Sequence, residues 1–233
     1  MFVITADQKA SRHDVDRAGT GRDDLAARYD GRLVLPVDRT AGDEVQALVD
    51  DAATALDMVL VLTRAGHWSV GLGIGAVRTP LPRATREATG PAFIAARDAV
   101  TAAKRSATRF ALAADPPTAP PEHAGSAALP GAAEVEALVT LLLLARDRRT
   151  PQGWDVVDRM ADGASQRDVA AELGITPQAV STRLRTSGWR AERDAIPGLT
   201  ALLAHLDAEA SAATGPTASS ARTHRTDRTG GRS

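Results

Sequence analysis

The chain has 233 residues, a formal net charge of −1 and no cysteine. That length accommodates one large or two modest domains, and the absence of cysteine excludes a disulfide framework, a thiolate nucleophile and Cys-ligated zinc. With so little net charge no global field attracts nucleic acid, so any DNA contact must come from a local arrangement of cations.

The longest apolar runs, Met58 to Leu62 and Val139 to Ala145, fall far short of the roughly 20 residues of a membrane span, and the N-terminus lacks a basic region followed by an apolar core. The expectation is a cytoplasmic protein that makes no use of a membrane. Arginine supplies nearly all the positive charge, Lys9 and Lys104 being the only lysines.

In chain order, Phe2 to Ala6 is an apolar, β-branched run that predicts a buried strand ending at Asp7, and a helix follows from about Asp23 to Tyr29. Arg32 to Val37 and Glu44 to Val49 form a predicted hairpin, with Gly42 and Asp43 as turn residues. Asp50 to Thr63 places Ala53, Leu56, Val59, Leu60 and Thr63 at helical spacing. Trp68 to Val77 predicts a strand with Gly71, Gly73 and Gly75 on one face, where they permit close helix packing. Pro91 to Leu112 predicts a helix. The order βαββαβ, then a helix, predicts an α+β, ferredoxin-like domain over residues 1–115, with helices on one face of the sheet.

A Pro- and Ala-rich linker is expected over 116–130, and a disordered basic tail over 210–233, where Arg222, Arg225, Arg228 and Arg232 are available for weak phosphate contacts. Between them, residues 131–209 predict an all-α, helix-turn-helix DNA-binding domain. Helices are expected over Glu134 to Arg146 and Asp155 to Ala161. Ser165 then caps a helix with Asp168 at the capping-box position, Gly174 makes the turn, and Thr176 and Pro177 open a second helix whose buried stripe is Val180 and Leu184. Gly188 is the expected helix C-cap, Trp189 a core anchor, and Pro197 the start of a last helix.

With Val180 and Leu184 inside, Gln178, Ser181, Thr182 and Arg185 face outward at i, i+3, i+4 and i+7. Gln pairs bidentately with adenine and Arg with guanine, while hydroxyls such as that of Thr176 serve base edges or phosphate. Arg167, Arg183 and Arg190 are the expected phosphate contacts. A single module of this kind reads few base pairs, so a homodimer is expected, with candidate seams in Leu138, Leu142 and Ala145 and in Leu199, Leu202, Leu203 and Leu206.

Several motifs of the first domain occur together in a fixed order: Thr5-Ala6-Asp7 with Ser11-Arg12, Gly42-Asp43-Glu44-Val45-Gln46, Gly71-Leu72-Gly73-Ile74-Gly75, and Gly90-Pro91-Ala92 leading to Ala96-Arg97. In this it resembles the SatD family over about residues 1–105. More distantly it is similar to class III nucleotidyl cyclases and GGDEF-type domains, in which a strand-end Asp and a hairpin-tip Asp bind two divalent metals on nucleotide phosphates. That resemblance implies Asp7 and Asp43 as metal ligands, Mg²⁺ with a nucleotide as the cofactor, and Arg97 as a nucleotide contact. The segment Gly90 to Arg97 lacks the Asn of the cyclase motif and is one residue shorter, and no base-selecting Lys and Asp pair is placed. Loss of such groups costs orders of magnitude in rate.

The expected function is therefore a DNA-binding transcription regulator whose cyclase-like first domain senses a ligand or mediates assembly without catalysis. The alternative is a metal-dependent nucleotide-processing enzyme tethered to DNA.

Overall fold

In the computed structural model, residues 1–9, 15–40, 42–115 and 129–213 are described. The first strand, β1 (Phe2–Gln8), is buried on both sides and pairs antiparallel with β3 (Glu44–Val49) and with β4 (Trp68–Gly75). The hairpin forms between β2 (Leu35–Arg39) and β3, with a bulge between Leu35 and Asp38 and Gly42 at φ 54°. A fifth strand, β5 (Phe110–Asp115), runs parallel to β4, giving a mixed sheet in the order β2-β3-β1-β4-β5. Eight α-helices complete an α+β fold among the described residues.

Side chains of β1 alternate between two apolar layers, as a period of two requires. Phe2, Ile4 and Ala6 enter the larger layer with α1 (Ala18–Arg28) and α2 (Ala52–Ala65), while Val3 meets Ala92, Phe93 and Ala96 of α3 (Pro91–Ala103) on the other side. The expectation of helices on one face is thus corrected, because α3 covers the second face. It lies against β4 backbone to backbone: a Cβ on Gly71 would fall 2.2 Å from the Val100 amide nitrogen, and one on Gly73 would fall 2.3 Å from the Ala92 carbonyl.

The larger layer does not stop at β5. Val135, Val139, Leu142 and Leu143 of α4 (Ala132–Asp147) and Leu199, Leu203 and Leu206 of α8 (Trp189–Ala213) belong to the same buried cluster as Phe2, Ile4 and Leu72. The stripe on α8 that offered a dimer seam is consumed there, apart from the half-buried Leu202, and so is Leu142. A separate small core is confined to α5 (Pro151–Ala161), α6 (Gln166–Glu172) and α7 (Pro177–Thr186), around Val156, Val169, Ala170, Val180 and Leu184.

Several element bounds differ from the expected ones. The helix expected from Pro91 to Leu112 ends at Ala103, and the chain turns before β5, with Arg109 at φ 56° and its guanidinium on the Lys104 carbonyl at 2.8 Å. Helix α1 begins at Ala18 rather than Asp23, its start fixed by the Gln8 side chain, which accepts from the Arg17 amide at 2.8 Å. Helix α8 begins at Trp189 and carries Pro197 inside it, so that proline does not open the helix, although it removes one backbone donor. Ser11-Arg12, the linker 116–128 and the tail beyond 213 lie outside the described residues.

Candidate nucleic-acid interface

Local chemistry fixes α6 and α7. The Ser165 hydroxyl accepts from the Asp168 amide while the Asp168 carboxylate takes the Ser165 amide and hydroxyl, a complete capping box. These Ser165 contacts, side chain first, hold the Asp168 carboxylate below its ordinary pKa. Gly174 adopts φ 62° in the turn, which a side chain would resist. Thr176 then accepts from the Ala179 amide at 3.1 Å, and Pro177 occupies the first turn, where its missing N–H is harmless.

With Val180 and Leu184 buried against α5 and α6, Gln178, Ser181 and Arg185 are exposed, and Thr182 and Arg183 are half-buried beside them. The guanidinium groups of Arg183, Arg185 and Arg190 make no hydrogen bond or ion pair among the described residues. Arg167 is exposed on the first turn of α6, beside Asp168. The acid Glu172 is drawn toward α5 by Arg159 at 2.8 Å. The exposed side of α7 therefore carries amide, hydroxyl and guanidinium groups together.

A second group of arginines sits where α2, α4, α5 and α8 meet. Arg149, with only 1% of its side chain exposed, and Arg146, with 11%, both bind Glu192, Arg149 at 2.5 Å. Arg64 forms a two-pronged pair with Asp158 at 2.7 Å. The guanidinium carbons of Arg64, Arg149 and Arg146 lie 3.7, 4.2 and 4.9 Å from the Trp154 ring centre. Burial pushes the Arg146 guanidinium down from its ordinary pKa, and the Glu192 charge opposes this. The sequence reading missed this cluster, since no periodic or capping signal links positions so far apart in the chain.

The residues implied as a metal and nucleotide site are placed differently. Asp7 receives Lys104 at 2.6 Å, so an ammonium stands beside the carboxylate that a cation would use. Asp43 is half-buried at the hairpin, its carbonyl accepting from the Gln8 amide at 3.0 Å. Arg97 is exposed on α3. Among the described residues no group of three or more His, Cys, Asp or Glu is arranged to hold a metal. No described helix is long and apolar enough to cross a membrane.

Neither a family model nor a curated protein matches the chain.

Proposed function

We propose that this protein binds duplex DNA through α6 and α7, read as a helix-turn-helix with α7 in the major groove, and that it acts as a transcription regulator. The observation that carries the reading is the outer face of α7. Gln178, Ser181, Thr182 and Arg185 follow one another at helical spacing, and the nearby guanidinium groups of Arg183 and Arg190, like that of Arg185, are not committed to any described carboxylate. An Arg and a Gln on such a face match the bidentate edges of guanine and adenine, and flanking arginines neutralise phosphate.

The sheet is read as a ferredoxin-like framework. What supports this is the order β2-β3-β1-β4 with antiparallel neighbours and helices in two of the crossovers, extended by the parallel β5. This framework carries the small α5–α7 core and performs no nucleotide chemistry. Its resemblance to SatD proteins rests on the motif order alone. A regulator of this kind works in the cytoplasm, where it meets DNA.

A homodimer reading half-sites about 34 Å apart fits the proposal. Leu138, Leu141 and Leu144 leave a stripe on α4 that is 40%, 64% and 44% exposed, which is the surface available for pairing once α8 is consumed by the core.

The test is selection of genomic fragments by the full chain, followed by sequencing and affinity measurement across a salt series. A recurrent site bound at least a thousandfold more tightly than random duplex supports the reading. Equal, weak binding to every fragment overturns it.

A further inference from the structure

A cavity of about 600 Å³ opens between α2 on one side and α5 and α8 on the other. That volume lies within the range of small-molecule sites, which are mostly apolar with a few placed polar groups. Its floor is apolar, formed by Leu56, Leu60, Val61 and Ile196. Two of the three tryptophans of the chain, Trp154 and Trp189, flank it, and both are only half-buried. Both pack in part against the α5–α7 core, and the Trp154 ring already carries Arg64, Arg146 and Arg149, so the indoles supply apolar wall beside the floor.

The charge of the lining has a sign. Each carboxylate on the wall is already engaged: Asp57 accepts from the Tyr29 hydroxyl at 2.8 Å, Asp158 takes both nitrogens of the Arg64 fork, and Glu192 holds Arg146 and Arg149. Arg193 is different. It stacks over Trp189 at 4.9 Å, and its ion pair is a long, solvent-exposed contact of 3.8 Å with Asp194. One guanidinium beside an indole face is thus left to meet an anion.

We propose that this cavity binds a planar aromatic molecule carrying one carboxylate or sulfonate, its ring on the apolar floor and its anion at Arg193. The site stands independently of whether α7 binds DNA. Because its walls come from the sheet framework and from α5 and α8, an occupant bridges the two parts of the molecule and stabilises them by mass action.

The full chain is titrated with 1-anilinonaphthalene-8-sulfonate and with 2-naphthoate, following probe fluorescence, energy transfer from tryptophan and melting temperature. Ala161→Phe on α5 and Ala53→Phe on α2 fill the cavity from opposite walls at exposed positions, and Arg193→Glu reverses its free charge. The expected result is saturable binding of one equivalent with tryptophan-sensitised emission, weakened at least tenfold by either filling variant and at least fivefold by Arg193→Glu. Two filling sites keep the test decisive should one variant fold poorly, as circular dichroism would reveal. Absence of saturable binding, or affinity unchanged in the filling variants, overturns the site. Equal affinity for 2-naphthoate and neutral 2-naphthalenemethanol overturns the anion.

Discussion

Two sets of arginines in this molecule have the same chemistry and opposite circumstances. Those at the junction, Arg64, Arg146 and Arg149, are held by Asp158, Glu192 and the Trp154 ring. Those around α7, Arg183, Arg185 and Arg190, are without a described partner. A guanidinium fixed by carboxylates and an indole face serves the architecture, whereas one held out on a rigid, capped helix is available to a ligand. In a chain whose cations are almost all arginine, the difference lies in the partners and not in the residue type.

The comparison breaks most visibly at Glu192. Glu192→Ala leaves Arg146 and Arg149 buried without their shared counter-charge, and is expected to cost about 3 to 5 kcal/mol, read from urea denaturation. A loss below about 1 kcal/mol would show that the junction pairs are ornamental.

An uncharged, purely steric contact calibrates that effect. Gly73→Ala drives a methyl group into the α3 backbone, within 2.3 Å of the Ala96 amide nitrogen, and should destabilise by about 1 to 3 kcal/mol in the same assay.

On the other side of the comparison, Arg185→Ala should leave the denaturation midpoint within experimental error while weakening binding to the selected DNA site by about 1 to 3 kcal/mol and relaxing base choice there. Arg183→Ala should weaken all sequences alike and flatten the salt dependence. Wild-type affinity in the double variant, measured at physiological salt, would move these arginines out of the binding surface.

The smallest effects concern the caps that hold the free arginines in place. Thr176→Ala removes the acceptor for the Ala179 amide and should cost about 1 kcal/mol. The Asp168 carboxylate, kept below its ordinary pKa of 3.8 by Ser165, contributes stability that is complete above that value and is lost as pH falls through the lowered folded one. Asp168→Asn should therefore reduce the acid sensitivity of the chain below about pH 4, followed by thermal melts across an acidic pH series.

What the sequence reveals follows the range of the interactions. The α6–α7 turn is legible because Ser165, Asp168, Gly174, Thr176 and Pro177 act on neighbours within a few residues, and the glycines of β4 announce a close helix by their spacing. Strand β5 is hidden because alanines extend from α3 into Phe110–Asp115 and blur the change of period. The start of α1 is hidden by Gly19 and Gly21, poor helix formers; Gly21 is retained where a Cβ would meet Trp68 at 2.7 Å. Leucines at helical spacing in α8 announce a buried face without naming what buries it. The junction cluster joins residues from positions 64 to 192, and only the folded chain assembles it.

The shared core of sheet, α4 and α8 has a consequence for how the chain is made. Leu199, Leu203 and Leu206 close over the layer that β4 and β5 present, and they are among the last described residues to be translated. At a synthesis rate of about 5 to 20 residues per second, that apolar face waits on the order of ten seconds after β5 emerges before its cover follows. By the end of that interval α5–α7, with its own small core, has been made while the framework meant to carry it still exposes hydrophobic surface to water and to chaperones.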